Sequence, residues 1–239
     1  MSKKVILIIV EGHTEEEVFY DFLQERYNNE EIRIDVQKGD ILSDWNNHNI
    51  NKKVGKIIKQ YLTKYRLLPQ DLLAVVHFTD TDGCFIPKDG VVISPQHTEN
   101  LTYSNEAIYV VDEDKKQKIE QRNKLKAINV KKLAENEIFS INRIKIPYSI
   151  FYFSTNLDHL LWNERNEFRD EKMERAEFFM KNLKIPLEQF LRQFSKIEEN
   201  FSYREKLTLS WEYVMERYNS LQRCTNVPLM FDMIDRVRK

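Results

Sequence analysis

Two aliphatic segments of the chain lead directly into acidic residues and then into a glycine. The first reads VILIIV and is followed by Glu11, and the second reads LLAVVHFT and is followed by the turn Asp80–Gly83. If the segments are neighbouring strands, their carboxylates meet at one sheet edge and repel one another unless a cation lies between them. Oxygen ligands without histidine or cysteine suit a hard ion, Mg²⁺ or Mn²⁺. We therefore predict a divalent-metal site with Glu11, Asp80 and Asp82 as ligands.

Simpler interpretations of these residues are also open. Asp-Thr-Asp-Gly is a common turn sequence, and Glu15, Glu16 and Glu17 are most simply first-turn acids that complement a helix dipole. Thr14 and Glu17 also fit a capping box. None of these explains an acid at the end of an aliphatic strand, so Glu11 is the strongest indication of a metal site.

The elements that must position these acids alternate between strands and helices. The pattern predicts strands at 5–10, 32–36, 72–78, 106–111 and 144–154, helices at 14–27, 52–65 and 113–137, and a hairpin or excursion at 84–105. From residue 156 it predicts helices at 157–162, 169–182, 186–194, 204–221 and 228–237. We therefore predict an α/β domain at residues 1–165, with a mostly parallel central sheet flanked by helices, and an α-helical C-terminal region at residues 166–239. Ligand sites in such sheets form beyond the carboxyl ends of the strands.

The composition excludes several classes of protein. The chain has 37 Lys and Arg against 38 Asp and Glu, which excludes a wholly basic nucleic-acid binder but not a local basic face. Its five glycines have neither the spacing of a P-loop nor that of the GxGxxG dinucleotide motif. Cys84 and Cys224 form neither a disulfide framework nor a zinc motif. No apolar run approaches about 18 residues, so we predict a soluble cytoplasmic protein without a membrane segment.

The residues around the two acidic motifs resemble a Toprim domain. Residues 7–20 follow the pattern strand-Glu-Gly-x-Thr-Glu-x-x-x-Phe/Tyr, and residues 75–83 follow strand-Asp-x-Asp-Gly. They are similar to the Toprim domains of OLD-type nucleases and related bacterial phage-defence proteins, and the resemblance covers about residues 5–165. It implies that Glu11 is a metal ligand or acid/base residue and that Asp80 and Asp82 are the metal-binding pair. The resemblance also implies a further metal-binding acid, and Asp158 has the corresponding position, with Asp where Glu is usual. The alternative is that Asp158 is a helix-start acid. We assign His159 to the helix surface.

The resemblance implies phosphoryl-transfer chemistry on nucleic acids. Topoisomerases and primases need domains or zinc-binding parts that this chain lacks, which leaves a Mg²⁺- or Mn²⁺-dependent endonuclease or ribonuclease with Glu11, Asp80 and Asp82 as catalytic residues. Without an ATPase motif of its own, the chain also resembles phage-defence effectors that act with a separate ABC-type ATPase, for which the helical region would be the docking piece. Two alternatives are a non-catalytic Toprim module that binds nucleic acid or a partner, and a phosphotransferase or phosphatase with Asp80 as nucleophile.

Two lysine-rich segments supply candidate contacts to a nucleic acid. Residues 51–66 carry six bases and no acid, and residues 115–145 carry ten bases and three acids. Cations beside a metal site would position a DNA or RNA backbone, although such runs are also typical of solvated helix faces. The residues that we assign to nucleic-acid binding are Lys52, Lys53, Lys56, Lys59, Lys115, Lys116 and Lys118. The choice between DNA and RNA and assembly into a homo-oligomer stay open.

Overall fold

A five-stranded sheet forms the centre of the fold. The computed structural model describes residues 4–37, 40–44, 49–96, 101–166 and 172–239. The sheet has the strand order β2-β1-β3-β8-β7, with β1 at Val5–Val10, β2 at Glu31–Val36, β3 at Leu72–Asp80, β7 at Ile138–Ile141 and β8 at Ile144–Phe153. β1 pairs in parallel with β2 and β3, β3 pairs in parallel with β8, and β7 pairs antiparallel with β8. The prediction of an α/β fold with a mostly parallel central sheet is therefore confirmed.

The two strands that carry the acidic motifs are buried. Every residue of β1 is buried, and so are residues 74–79 of β3. A parallel strand covered on both faces needs apolar side chains on both faces, which is why the two segments are continuous aliphatic runs rather than alternating ones. β3 continues two residues beyond the predicted end, so Asp80 is the last residue of the strand itself.

Three long helices flank the sheet, namely α1 at His13–Arg26, α2 at Ile50–Tyr65 and α3 at Glu113–Ala134. The predicted capping box of Thr14 and Glu17 is wrong. The N-cap residue of α1 is Gly12, which has no side chain to cap the helix, and the helix begins at His13. Thr14 already lies inside the first turn, where it cannot act as the N-cap residue.

The predicted excursion at 84–105 forms part of a second, small sheet. Its strands are β4 at Val91–Ile93, β5 at Thr102–Tyr103 and β6 at Ile108–Val110, in the order β4-β6-β5. This sheet has a small hydrophobic cluster of its own, to which α3 contributes Ile119 and a later segment contributes Leu221. α3 therefore packs against both sheets and passes between them.

A hairpin that the sequence pattern missed completes the central sheet. The helix predicted to reach residue 137 ends at Ala134, and residues 138–141 form β7. Asn142 and Arg143 make the turn in left-handed conformations, with φ of 50° and 67°. Pro147 precedes Tyr148, where the parallel pairing of β8 with β3 begins. Pro147 therefore has the early strand position that its missing N–H group requires.

The C-terminal region is helical, as predicted, and packs on the central sheet. Its helices are α4 at Leu157–Trp162, α5 at Lys172–Asn182, α6 at Leu187–Arg192, α7 at Tyr203–Met215 and α8 at Pro228–Val237. The start of the predicted helix 169–182 lies outside the described residues. Trp211, Met230 and Phe231 belong to the same hydrophobic cluster as β1 and β3, and Thr225 forms an antiparallel bridge with Phe153. The helices from residue 157 onward therefore share one core with the central sheet.

None of the helices that the structure describes is both long enough and apolar enough to cross a membrane.

Candidate acid site at the carboxyl edge of the sheet

Glu11 and Asp80 lie at the carboxyl ends of two strands that are neighbours in the sheet. Glu11 directly follows β1, Asp80 is the last residue of β3, and the two strands pair in parallel. The hydroxyl of Thr79 donates a hydrogen bond of 2.6 Å to Oε1 of Glu11, which links the two strand ends directly. The structure therefore brings the two sequence motifs to one edge of the sheet, as their spacing predicts.

The turn after β3 is held in an unusual backbone conformation. Asp82 and Gly83 both have positive φ, of 49° and 64°. The amide of Asp82 donates to the carbonyl of Thr155 at 2.8 Å, and Thr155 itself has a φ of 58°. A Cβ atom at Gly83 would lie 2.7 Å from Cδ2 of Leu221, so the position requires glycine for space as well as for conformation. Non-glycine residues in this region store backbone strain, a common feature of functional sites.

A buried lysine, which the sequence reasoning did not single out, lies among the acids. The Lys126 side chain on α3 is 0% exposed, and its Nζ is 2.6 Å from Oδ2 of Asp82, 3.0 Å from Oδ2 of Asp40 and 3.7 Å from Oε2 of Glu11. Burial alone would lower the pKa of Lys126, but the three carboxylates raise it well above its ordinary value. Lys126 is therefore a permanent cation at the centre of the Glu11, Asp40 and Asp82 carboxylates.

Arg122, one helical turn before Lys126, supports the strained turn. Its Nη2 donates to the carbonyl oxygen of Asp82 at 2.9 Å, and its Nη1 donates to the hydroxyl of Tyr103 at 3.2 Å. That hydroxyl lies 3.5 Å from Oδ1 of Asp82. α3 thus contacts both the side chain and the backbone of Asp82, which fixes the direction of the carboxylate.

A second group of acids surrounds Asp80. Oδ1 of Asp80 accepts a hydrogen bond of 3.1 Å from the amide of Leu157, at the start of α4. Glu15 is only 6% exposed, and Asp158 is 3% exposed and forms an ion pair with Lys172. Asp158 has the helix-start position that was the alternative, and its charge helps to raise the pKa of Glu15.

Burial and mutual repulsion raise the pKa of three carboxyl groups. The pKa of Glu11 rises to about 8, mainly through burial, with Asp40 and Asp82 adding repulsion and Lys126 opposing it. The pKa of Glu15 rises to about 7 through burial and the Asp158 charge. The pKa of Asp80 rises well above its ordinary value through burial and the charges of Glu15 and Glu11. These three groups resist ionisation together because burial and the neighbouring carboxylates both oppose their negative charge.

The pKa of Asp40 is shifted in the opposite direction, below its ordinary value. Burial would raise its pKa, but the Lys126 ammonium and hydrogen bonds from the segment around Leu42 and Ser43 lower it below the ordinary value. Its Oδ1 accepts from the amides of Leu42 and Ser43 at 2.8 and 3.3 Å, which leaves Oδ2 for Lys126. Asp40 is therefore a fully ionised partner of the lysine.

Among the described residues, the site has more carboxyl groups than cations. Six carboxyl groups, those of Glu11, Glu15, Asp40, Asp80, Asp82 and Asp158, lie near three cations, those of Arg122, Lys126 and Lys172. The donors are all oxygen atoms, which by their chemistry fit a hard divalent cation. Within the described ranges, however, no group of three or more His, Cys, Asp or Glu side chains is arranged to hold a metal ion. The ammonium of Lys126 takes a position between Glu11 and Asp82, so these residues suit a metal in chemistry but are not a preformed cage.

The lysines assigned to nucleic-acid binding lie on two helices that adjoin the site. On α2, Lys52, Lys56 and Lys59 are exposed, whereas Lys53 is half-buried and donates to Asp44 and to the carbonyl of Ile41. Lys53 is thus a structural contact to the segment that carries Asp40, rather than a free cation. Lys115, Lys116 and Lys118 lie in the first turns of α3. Lys118 is eight residues from Lys126, or about 12 Å along the helix axis.

Sequence reasoning missed some residues of the site and misassigned others. Glu15 is a first-turn acid of α1, as predicted, but its burial was missed, and its spacing from the buried residues Val18 and Phe19 could have indicated it. Asp40 and Lys126 have no local pattern that marks them, because only the fold brings them to the strand ends. His159, assigned to the helix surface, is fully buried, and burial lowers its pKa to about 4.

Comparison of the chain with protein-family models, with curated proteins and with solved structures finds no match. The geometry of the acid site and the resemblance of its motifs are therefore the basis for assigning a function. Both concern the same residues, Glu11, Asp80 and Asp82.

Proposed function

We propose that this chain is a Toprim-like, metal-dependent nuclease that hydrolyses phosphodiester bonds in DNA or RNA. One observation carries the proposal: Glu11 and Asp80 lie at the carboxyl ends of adjacent parallel strands, in a group of buried carboxyls whose pKa values are raised by burial and by one another. Such a group is stabilised by a cation that binds several carboxylates at once. The resemblance to OLD-type Toprim motifs adds the reaction class.

The residues that would hold Mg²⁺ or Mn²⁺ are Glu11, Asp80, Asp82 and Asp158. The bound ion would polarise the scissile phosphate and lower the pKa of a water molecule. The chain's own residues prepare the ligands. Thr79 donates to Oε1 of Glu11, which fixes that carboxylate, and Arg122 holds the backbone of Asp82. Glu11, with a pKa raised to about 8 by burial, is mostly protonated in the metal-free protein near neutral pH and would lose that proton when it binds the ion.

The exposed lysines of α2 and α3 would bind the phosphate backbone. Lys52, Lys56 and Lys59 are exposed on a helix that is tied to the acid site through Lys53 and Ile41. Lys115, Lys116 and Lys118 flank the site along α3. Contacts of this kind position a strand without reading its sequence, which suits an enzyme that acts on the backbone.

The proposal includes a partner. In the family that the motifs resemble, nuclease effectors of bacterial phage defence work with an ABC-type ATPase, and this sequence has no P-loop pattern of its own. The helical region would supply the docking surface, where Phe178 and Met173 on α5 are 69% and 44% exposed. Assembly of the effector as a homo-oligomer belongs to the same proposal, as does a cytoplasmic location.

The test is cleavage of plasmid DNA and of a structured RNA by the purified chain in Mn²⁺. We expect Glu11→Gln and Asp80→Asn to abolish cleavage, because each removes a charged oxygen ligand while keeping the side-chain volume. Asp21→Asn, an exposed acid on α1, is the matched control and should cleave at the wild-type rate. Wild-type cleavage by the Glu11→Gln protein would contradict the proposal.

A non-catalytic module is the second candidate, and the position of Lys126 favours it. An ammonium that already lies among the Glu11, Asp40 and Asp82 carboxylates can replace a metal structurally. In that case the wild type and the Glu11→Gln variant would bind nucleic acid equally and neither would cleave it, with or without the ATPase partner. The phosphotransferase alternative is weaker, because it gives no role to Glu11, which Thr79 links to the end of β3.

A further inference from the structure

Lys126 is the most enclosed cation of the acid site. Its side chain is 0% exposed, and its Nζ lies within 3.7 Å of three separate carboxylates, those of Glu11, Asp40 and Asp82. Two of these three are proposed metal ligands. The carboxylates are partly exposed, but the ammonium is not, so moving it away from them is costly unless another cation takes its place.

A divalent ion and the lysine cannot share these carboxylates. Mg²⁺ binds oxygen at about 2.1 Å, so an ion on Asp82 would lie within about 5 Å of Nζ, which is itself 2.6 Å from Oδ2 of Asp82. Two cations at that distance in a buried site repel one another strongly. Binding of the ion therefore requires Nζ to move away from Glu11 and Asp82.

Asp40 provides the place to which the lysine can withdraw. Its Oδ1 is fixed by the amides of Leu42 and Ser43, and its Oδ2 lies 3.0 Å from Nζ. Asp40 is not one of the proposed metal ligands, so it remains available when the other two carboxylates are taken. Lys126 would keep one ion pair throughout the exchange, which limits the cost of moving a buried charge.

We propose that Lys126 is a tethered cation that occupies the Glu11 and Asp82 carboxylates in the metal-free protein and competes with the divalent ion for them. This inference rests on the proposed function in one respect, namely that these carboxylates take the metal. The lysine then sets the metal concentration at which the site is loaded, and it holds the acids together when no metal is present.

The first test is the affinity of Mn²⁺, measured by titration calorimetry on wild type, Lys126→Met and Lys124→Met. Methionine keeps most of the side-chain length and removes the charge. We expect Lys126→Met to bind Mn²⁺ about tenfold more tightly or better, because the ion no longer displaces an ammonium. Lys124, an exposed lysine on the same helix, is the matched control and should bind as the wild type does. Equal or weaker binding by a folded Lys126→Met protein would overturn the proposal.

The second test uses the wild type alone, so it stands even if Lys126→Met fails to fold. Reductive methylation followed by mass spectrometry measures the reactivity of each lysine amine. We expect Lys126 to be unreactive in metal-free protein and to become more reactive in saturating Mn²⁺, because one carboxylate partner, Asp40, then remains instead of three. Lys124 should be labelled equally in both. Protection of Lys126 that is unchanged by saturating Mn²⁺ would overturn the proposal.

The tests separate this inference from the proposed nuclease. Mn²⁺-dependent cleavage by the wild type with no gain of affinity in Lys126→Met would overturn the competition and leave the nuclease standing. Tighter Mn²⁺ binding by Lys126→Met without cleavage by either protein would support the competition and count against the nuclease. Absence of Mn²⁺ binding by both proteins would overturn the competition.

Discussion

Glu15 and Lys126 show how burial changes what a charged residue contributes. Both are almost fully enclosed, and burial opposes the charge of each. Lys126 stays charged because it has three carboxylate partners, whereas Glu15 has the Asp158 charge beside it, so its pKa rises to about 7. Whether a buried group keeps its charge is thus decided by the sign of its neighbours rather than by burial alone.

The raised pKa of Glu11 predicts a loss of stability with rising pH in metal-free protein. Its pKa is about 8 in the folded state against 4.5 for the ordinary group, so between these values the folded state binds more protons and the free energy of unfolding falls as pH rises. His77 and His159, with pKa values lowered to about 3 and about 4, oppose this only below their ordinary value of 6.5. From pH 6.5 to 8 we expect a loss of roughly 1–2 kcal/mol from Glu11, measured by urea unfolding in the presence of a chelator.

The control for this prediction is Glu11→Gln, which has no proton to lose. Its stability should fall less over the same pH interval than that of the wild type. Burial still raises the pKa values of Glu15 and Asp80 in the variant, and these groups account for the slope that remains. A free energy of unfolding in the metal-free wild type that is flat or rising from pH 6.5 to 8 would contradict the assignment.

Substitution of alanine at Gly83 and at Gly55 should change the free energy of unfolding in opposite directions. Gly83→Ala should lower the free energy of unfolding by about 1–3 kcal/mol, because φ is 64° there and the new Cβ would meet Leu221 at 2.7 Å. Gly55→Ala should raise it by up to about 1 kcal/mol, because Gly55 lies inside α2 and its nearest neighbour, Phe139, is 3.7 Å from the new Cβ. Urea unfolding of both variants measures the difference, and equal effects would contradict the strained turn.

At the scale of elements, the sequence predicted correctly those strands whose burial on both faces leaves a continuous aliphatic run. The aliphatic runs of β1 and β3 predict buried strands, and the strand ends predict where Glu11 and Asp80 meet. β7 was missed because residues 138–141 follow a helix without glycine or proline, and their turn uses left-handed Asn142 and Arg143. Lys126 was missed because its partners are distant in sequence, so their meeting is a property of the fold.

The α2 lysines predict the salt dependence of nucleic-acid binding. Replacing Lys52, Lys56 and Lys59 together by glutamine should weaken binding and reduce the slope of log K against log salt by roughly 2 to 3, since each phosphate contact contributes about 0.9. Lys53 is left unchanged because it binds Asp44 and Ile41. Binding isotherms at several salt concentrations measure both effects.

The matched control for the α2 lysines removes the same charge elsewhere. Lys181, Lys184 and Lys196 are exposed in the C-terminal region, and their triple replacement by glutamine should leave the slope unchanged. Equal loss of binding in both triple variants would mean that net charge, rather than the face of α2, determines affinity.

At the scale of the whole molecule, the shared core predicts one cooperative unfolding transition. Phe231 on α8 packs against Phe22 of α1, with ring centroids 5.9 Å apart. Phe231→Ala should therefore destabilise the sheet and the C-terminal helices together, by about 3–5 kcal/mol. Calorimetry of the wild type and the variant should show a single transition in each. Two transitions, with only one shifted, would show that residues 166–239 unfold independently.

The turn of the acid site is held by the carbonyl of Ser220, a residue that is synthesised late. It accepts hydrogen bonds from the amide of Thr155 and from the hydroxyl of Thr81, both at 3.0 Å, and so holds the Asp80–Gly83 turn from 139 positions further along the chain. A ribosome makes β1 and β3 long before it reaches this residue. The nascent chain therefore carries its acids early and acquires their final arrangement only after Ser220 has emerged. If the chain is the nuclease that we propose, its acid site would be incomplete during most of its own translation. The messenger and ribosomal RNA, which are then closest to the chain, would be exposed to an unfinished site.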